Sequence, residues 1–253
     1  MQIASWNVNS LKVRLPQVIE WLQNTRCDIL TLQELKLDND NFPKAAFDEI
    51  GYHYVFNGQK TYNGVAIISK HPITDVVYDI PNYDDIQKRV ISATINDIRV
   101  ICVYIVNGEN ITSDKYQYKL TWLQQLENYI KANLAKYPKL ALLGDFNIAP
   151  EDRDMYDPIA WKDQVLCSVP ERNAWSRLLA LGLHDSFRIF NQEERQYTWW
   201  DYRNFAFRRK LGLRIDHILI SDNLKQLAQD CIIDVNPRKN ERPSDHTPII
   251  LIL

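Results

Sequence analysis

The chain has 253 residues, enough for two small domains or one large α/β domain and too many for a peptide-like scaffold. Its composition, 45% hydrophobic and 25% charged, is typical of a globular protein and excludes the disordered and fibrous classes. With 30 Lys and Arg against 32 Asp and Glu, the formal net charge of −2 argues against a protein that binds polyanions through overall positive charge.

Short apolar segments of β type recur along the whole chain, and ten of them predict strands. They cover residues 2–8, 29–33, 52–56, 64–69, 90–95, 100–106, 139–143, 214–220, 231–235 and 248–253. Ten strands are too many for one small open sheet.

Three helices are predicted between these strands. Ser10 is the candidate N-cap of the first, in which Leu11 to Leu22 place apolar residues three and four positions apart. Asp114 is the candidate N-cap of the second, whose apolar stripe is expected to pack in the core. The third spans 172–181 and ends at Gly182. Strands interleaved with helices predict two packed sheets covered by helices, an α+β sandwich, formed by one domain over 1–253 because no linker divides the chain.

The cysteines and the N-terminal sequence predict the compartment. Cys27, Cys102, Cys167 and Cys231 form no CxxC pair, and their mostly apolar neighbours predict buried free thiols in a reducing cytosol. No apolar run is long enough to span a membrane, and the first residues do not form a signal peptide. We therefore expect a cytoplasmic protein with no membrane partner.

Common cofactor motifs are missing. Only seven glycines are present and no two are separated by a single residue, so neither GxGxxG nor GxSxG can be written, and no P-loop is found. No histidine or cysteine cluster has zinc spacing. A metal ion, if bound, would need carboxylate and amide ligands.

Polar residues stand where predicted strands end. Asn7 and Asn9 close the first strand at a spacing that can place both side chains on one side, and Glu34 directly follows the second strand. Taken alone, the asparagines could simply form a turn and the glutamate could be solvated.

Later strand ends carry a stronger signal. Asp145 and Asn147 end an almost wholly apolar strand, where a carboxylate is costly unless it has partners. Asp216 lies inside an apolar run, whereas the adjacent His217 is expected to be a core or rim residue. Asp245 and His246 lie in a loop flanked by prolines. Together these amides, carboxylates and a histidine suit magnesium and a phosphate oxyanion.

These segments occur together in a known order. The motifs are Trp6-Asn7-Val8-Asn9, Leu32-Gln33-Glu34, Tyr104 with Asn107-Gly108, Gly144-Asp145-Phe146-Asn147, Tyr197 to Arg203, Leu211 to Asp216 and Ser244-Asp245-His246. As a set they resemble the exonuclease III family of apurinic/apyrimidinic endonucleases, within the endonuclease/exonuclease/phosphatase superfamily. The resemblance implies a four-layer α/β sandwich with two mainly antiparallel sheets. It also implies a monomeric, magnesium-dependent repair nuclease, with manganese as a substitute metal. Its substrate would be duplex DNA with abasic sites or blocked 3′ ends.

The resemblance also implies a metal site and a nucleophile. Glu34 matches the principal magnesium ligand, with Asn9 and Asp245 nearby. Asp145 matches the group that aligns or deprotonates the attacking water.

Further residues match groups that contact the phosphate. Asn7 and Asn147 match positioning amides, and Tyr104 matches a phenol that contacts the phosphate. Asp216 and His246 match a paired acid and imidazole, in which the acid would favour the protonated ring and make it a phosphate donor.

One segment is expected to contact DNA. The segment 203–214 contains five basic residues, two phenylalanines and no acidic residue. The basic residues and phenylalanines are Arg203, Phe205, Phe207, Arg208, Arg209, Lys210 and Arg214. This composition suits phosphate contacts with apolar wedges, although it could also be a solvated surface. By resemblance, Trp199, Leu213 and Ile215 line a pocket for an extruded abasic sugar.

Two other functions remain open on sequence alone. A noncatalytic nucleic-acid-binding regulator could share the fold, but it would have no need for Glu34, Asp145, Asp216 and His246 together. A phosphodiesterase acting on small or lipid phosphates is the second alternative, and the basic, aromatic segment at 199–214 argues for DNA instead.

Overall fold

The computed structural model describes residues 1–253, which form fourteen strands and six α-helices. The strands are β1 (Gln2–Asn7), β2 (Ile29–Gln33), β3 (His53–Asn57), β4 (Val65–Ser69), β5 (Thr74–Tyr78), β6 (Val90–Ile95), β7 (Ile98–Tyr104), β8 (Leu140–Asp145), β9 (Leu183–Asp185), β10 (Trp199–Trp200), β11 (Gly212–Leu213), β12 (Asp216–Ser221), β13 (Asp230–Ile233) and β14 (Ile249–Ile252). The helices are α1 (Leu11–Thr25), α2 (Lys44–Glu49), α3 (Asp114–Lys136), α4 (Val169–Ala180), α5 (Ser186–Phe190) and α6 (Asp222–Lys225).

The strands form two six-stranded sheets and one short ribbon. The first sheet has the order β13-β14-β1-β2-β4-β3, and the second has the order β5-β6-β7-β8-β12-β9. Only the β1–β2 and β7–β8 pairs are parallel. The ribbon pairs β10 with β11.

Alternation along the strands separates three apolar layers. In β1, Ile3 packs between the two sheets, whereas Ala4 and Trp6 pack against α1. In β8, Leu143 packs between the sheets, whereas Leu142 packs against α3 and α4. The layers are therefore helix, sheet, sheet and helix, which confirms the predicted sandwich. No helix in the structure has the length and apolar content that a membrane span needs.

All ten predicted strands are present, with ends within two residues of the prediction. The sequence did not reveal β5, β9, β10 and β11. Three of these contain only two or three residues, and β5 is an edge strand interrupted by a bulge. Such segments are too short or too exposed to show a two-residue periodicity.

The predicted helix caps need three corrections. Ser10 precedes α1 but makes no capping bond through its side chain. Ser113, not Asp114, caps α3 by accepting the backbone N–H of Tyr116. The third predicted helix, α4, begins at Val169, three residues before the predicted start, because Ser168 and Glu171 form a capping box. The predicted end near Gly182 is correct.

The four cysteines are free and buried, which confirms that part of the prediction. Burial raises the pKa of Cys27, Cys102 and Cys231 to about 12, and that of Cys167 to about 11. All four thiols therefore remain protonated at neutral pH.

Gly144 should be irreplaceable in β8. A Cβ atom at this position would lie 1.8 Å from the backbone oxygen of Val103, and φ is +153°. Because a paired strand cannot move away, Gly144→Ala should lower the free energy of unfolding by at least about 3 kcal/mol, measured by urea denaturation. Gly182→Ala is the control, since open space surrounds Gly182, and its φ of +97° should cost only about 1 kcal/mol. Equal losses in the two variants would contradict the prediction.

Candidate active site

The candidate site lies at one end of the space between the two sheets. In β7 and β8 the side chains that face the opposite sheet are apolar up to the last position, where Tyr104 and Asp145 stand, and in β1 Asn7 follows Ile3 and Ser5 on the same face. Asp216, the first residue of β12, pairs with Asp145 across the antiparallel β8–β12 ladder. The two-residue strand repeat therefore brings all four polar side chains to the same edge.

Asn7 joins two carboxylates. Its Nδ2 donates to Oε1 of Glu34 and to Oδ2 of Asp145, both at 2.9 Å. Its Oδ1 accepts the backbone N–H of Asn9, also at 2.9 Å. Both amide hydrogens are used, so in this arrangement Asn7 positions the carboxylates. The phosphate contact that the resemblance implies would need one of these bonds to be exchanged.

His246 lies between two buried aspartates. Its Nδ1 is 2.8 Å from Oδ2 of Asp216, and its Nε2 is 3.7 Å from Oδ2 of Asp145. Burial alone would lower the pKa of His246, but the charges of Asp216 and Asp145 outweigh burial and raise the pKa to about 10. Burial raises the pKa of Asp145 to about 7, although the charge of His246 opposes the change. His246 is therefore a cation at neutral pH, with Nε2–H available as a donor.

The predicted metal ligands form one connected group. Nδ2 of Asn9 donates to Oδ1 of Asp245 at 2.9 Å, and Nε1 of Trp199 donates to Oδ2 of Asp245 at 3.0 Å. The Lys36 ammonium group donates to Oδ1 of Asn9 and lies 2.9 Å from Oε2 of Glu34. A positive charge therefore already sits between the oxygens of Glu34 and Asn9.

Asn147 keeps one free donor. Its Nδ2 donates to the backbone oxygen of Ile105 at 3.0 Å, and its Oδ1 accepts from Nδ2 of Asn107 at 3.0 Å. Its backbone N–H donates to Oδ1 of Asp145 at 2.9 Å. Because an amide nitrogen carries two hydrogens, one remains available for an anionic ligand.

Tyr104 supplies a phenol that stays protonated. Burial raises its pKa well above the usual value, and the nearby charges of Glu34 and Asp145 add to the increase. The Arg89 guanidinium group lies 4.8 Å from the centre of the ring. Tyr104 is therefore a hydrogen-bond donor with a cation beside it.

Three of the site residues have left-handed backbones within two residues of the ends of their strands. The φ angles are +42° for Asn9, +53° for Glu34 and +50° for Asn147. Asparagine tolerates this region, whereas a glutamate there costs about 1 kcal/mol. Such strain at the end of a strand is typical of residues that are held for function.

The donor set fits a hard divalent cation. One ligand atom from each of Glu34, Asp145 and His246 lie within 4.8 Å of one another. A protonated His246 is a poor ligand, so the charge state favours the carboxylate and amide oxygens of the predicted ligands Glu34, Asn9 and Asp245. Oxygen ligands of this kind suit magnesium.

The family is decided by comparison. The chain matches the endonuclease/exonuclease/phosphatase family over residues 4–246. The chain belongs to this family.

Similarity to individual members of the family extends over the whole chain. Exodeoxyribonuclease III of Haemophilus influenzae is 34% identical over 98% of both chains. The structure of a 3′ phosphatase from Neisseria bound to a product DNA hairpin is 50% identical, with a TM-score of 0.99, covering 100% of this chain and 99% of the other. An AP endonuclease from Archaeoglobus fulgidus is 40% identical, with a TM-score of 0.96 and the same coverage. The protein is thus a DNA repair nuclease of the exonuclease III and AP endonuclease type.

In this family member, most of the basic segment predicted to contact DNA is exposed. Arg203, Arg208, Arg209 and Lys210 all lie on the surface, and Arg203 pairs with the neighbouring Asp201. Arg214 is an exception and corrects the sequence analysis. It is fully buried and makes ion pairs with Asp154 and Asp185, so it is a structural residue.

The three predicted pocket residues differ in exposure. Trp199 is half-buried beside Asp245, whereas Leu213 and Ile215 are 0% and 2% exposed. They pack with Met155 and Leu166 in a small apolar cluster. Leu213 and Ile215 are therefore covered residues of the cluster against which Trp199 packs, and their contact with an extruded sugar stays a prediction.

Two cations near the site were not identified from the sequence. Lys36 follows Glu34 by two residues, and that spacing was a usable signal. Arg89 precedes β6 and donates to the backbone oxygen of Tyr104 at 3.1 Å. It gave no signal, because only the pairing of β6 with β7 brings it there. His217, predicted as a core residue, is buried, and its Nε2 lies 2.8 Å from the backbone oxygen of Ile148.

Removing the charge of Asp216 should lower the pKa of His246. In metal-free protein, Asp216→Asn should bring the pKa down from about 10 toward the ordinary value of about 6.5, followed by histidine NMR titration. Because the folded-state pKa is raised, His246 stabilises the fold fully below about pH 6.5, and this contribution is lost as the pH rises through 10. Asp222→Asn, a change at an exposed and distant aspartate, should leave the His246 titration where it is. An unchanged pKa of His246 in Asp216→Asn would contradict the conclusion that Asp216 raises it.

Neutralising the exposed cations should reduce the salt dependence of DNA binding. Each phosphate contact contributes about 0.9 to the slope of log affinity against log salt, so replacing Arg208 and Arg209 by Gln should reduce the slope by about 2. The control replaces Lys131 and Lys136, exposed on α3, and should leave the slope unchanged. Equal slopes in wild type and the Arg208/Arg209 variant would make this segment a solvated surface.

Proposed function

We propose that the protein is a magnesium-dependent nuclease that hydrolyses duplex DNA at damaged positions. Its substrates would be the phosphodiester 5′ to an abasic site and the blocked or terminal nucleotides at 3′ ends, with manganese able to replace magnesium. The observation that carries the proposal is the buried Asp216–His246–Asp145 array beside Glu34. A DNA-binding protein without catalysis could use the imidazolium ion as a phosphate donor, but it would have no need for a carboxyl group with a raised pKa beside that ion and Glu34.

Asp145 is the proposed base for the attacking water. A pKa raised by burial to about 7 matches the requirement for proton transfer at neutral pH. Asn7 and the backbone N–H of Asn147 each donate to one of its oxygens, which fixes the carboxylate plane.

Three donors are proposed to hold the phosphate. Nε2–H of His246, the free amide hydrogen of Asn147 and the hydroxyl of Tyr104 are all neutral or cationic donors, as a phosphate oxyanion requires. Preorganised donors of this kind stabilise the charge that develops in the transition state.

Glu34 is the proposed principal ligand of magnesium, with Asn9 and Asp245 nearby. When bound, magnesium supplies Lewis acid stabilisation to the phosphate and leaving oxygens. In the metal-free arrangement, the Lys36 ammonium group pairs with the carboxylate of Glu34 and donates to Oδ1 of Asn9.

DNA is the proposed partner for two reasons. Related proteins are an exodeoxyribonuclease and a 3′ phosphatase bound to a DNA hairpin. Exposed Arg203, Arg208, Arg209 and Lys210 also lie in the segment that joins β11 to β10, the strand that contains Trp199. We further propose that the chain acts as one domain and as a monomer, since it supplies every residue of the proposed site.

The test is hydrolysis of duplex DNA with one abasic-site analogue, and of duplex DNA with a 3′-phosphate, in magnesium or in chelator. We expect cleavage only with metal, and at least about 100-fold loss of kcat in Asp145→Asn and in His246→Ala, because each removes a transition-state function.

Asp97→Asn is the matched control, since Asp97 is an exposed aspartate at the opposite end of the second sheet, and its kcat should equal that of wild type. Folding is checked for every variant by thermal unfolding. The proposal fails if pure wild-type protein cuts neither substrate in magnesium, or if Asp145→Asn cuts normally.

A further inference from the structure

We propose that Lys119 of α3 is a positioning residue whose buried ammonium group fixes the orientation of Asn147 toward the substrate phosphate. The inference rests on the proposed function, because it takes Asn147 as a phosphate ligand. Lys119 touches no proposed reacting atom and lies outside every motif described above.

Lys119 is completely buried, and all of its donors are engaged. Its Nζ donates to the backbone oxygen of Asn147 at 2.7 Å, to the backbone oxygen of Asn107 at 3.1 Å and to the carboxylate of Glu171. Three hydrogen bonds use the three hydrogens of an ammonium group. No other protein donor reaches the two carbonyl oxygens.

These two carbonyls belong to Asn107 and Asn147, the residues whose hydrogen bonds fix the orientation of the Asn147 side-chain amide. Asn147 has a left-handed backbone two residues after the end of β8, and its carbonyl needs a donor inside the protein. Asn107 donates through Nδ2 to Oδ1 of Asn147, and this bond fixes the direction in which the free N–H of the Asn147 amide points. One cation therefore holds both backbones whose side chains bond to each other.

Glu171 connects Lys119 to the residues at the start of α4. Its carboxylate accepts the backbone N–H of Leu166 and of Ser168, both at 3.0 Å, at the start of α4. Leu166 belongs to the apolar cluster behind Trp199. The Lys119–Glu171 pair thus links Asn147 to the apolar cluster against which Trp199 packs.

Loss of Lys119 should affect turnover more than DNA binding. Without the ammonium group, the turn at Asn147 can relax, and a displacement of about 1 Å in a catalytic group can reduce the rate by about 100-fold. The exposed cations near Trp199 do not touch Lys119, so KM for DNA should stay near the wild-type value.

The experiment separates positioning from stability with three variants. Lys119→Met leaves Glu171 as an unpaired buried charge and should lower both Tm and kcat. The double variant Lys119→Met/Glu171→Gln removes both charges and should recover much of the Tm, while kcat remains about 10- to 100-fold below wild type.

Arg99→Met is the matched control. Arg99 is also a buried cation bonded to α3, through Oδ1 of Asn133 at 3.1 Å, and it donates to the backbone oxygen of Asp75 at 2.7 Å. It lies at the start of β7, away from Tyr104 at the end of the strand. Arg99→Met should lower Tm but leave kcat unchanged well below Tm.

A second readout does not depend on activity. In metal-free protein, the side-chain amide resonance of Asn147 should shift in the double variant and not in Arg99→Met, measured by two-dimensional NMR. Recovery of kcat together with Tm in the double variant, or an unshifted Asn147 resonance, would overturn the proposal. Lack of wild-type turnover would defeat the proposed function and leave the NMR result as a separate test of the Lys119 contact.

Discussion

Two aspartates that face each other across the β8–β12 ladder depend on one cation, His246. Asp145 and Asp216 are both buried, and two unpaired carboxylates in that position would be strongly destabilising. The imidazolium ring pairs with Asp216 and lies 3.7 Å from Asp145, whose oxygens also accept hydrogen bonds from Asn7 and from the backbone N–H of Asn147. The contacts therefore depend on both the strand register and the loop that carries His246. A slip of one residue in β12 would turn Asp216 toward the helices and separate it from the ring. The geometry of the candidate site therefore depends on the register of β8 against β12.

The sequence predicted what strand periodicity and composition control. Asn7 and Asp145 at the ends of their strands, and Asp216 within an apolar run, located the candidate site, because the alternation that builds the layer between the sheets also decides which side chain faces it. Tertiary contacts explain what was not predicted. Arg214 looked like a DNA contact within a basic run, yet it is buried by Asp154 and Asp185, which lie far away in the chain.

Helix caps and short strands could not be predicted correctly, because they depend on backbone angles and tertiary pairing, which apolar patterns do not show. Ser113 and Asp114 are equally good caps on composition, and only the backbone angles at residue 113 select the first. Likewise, the β10–β11 ribbon consists of two short strands whose pairing brings Trp199 next to Leu213, with eleven residues of loop between them. The elements that border the proposed DNA surface are thus the least regular, whereas Asp145 and Asp216 stand in the long strands β8 and β12.

The state of the thiols has a consequence for a protein that acts on damaged DNA. Peroxide reacts with thiolates and far more slowly with protonated, covered thiols. All four cysteines here are buried with raised pKa values, and none lies among the proposed catalytic residues. An oxidant that breaks DNA strands would therefore find few reactive sulfur atoms on this nuclease. Repair capacity should persist under the same chemical stress that creates the substrate.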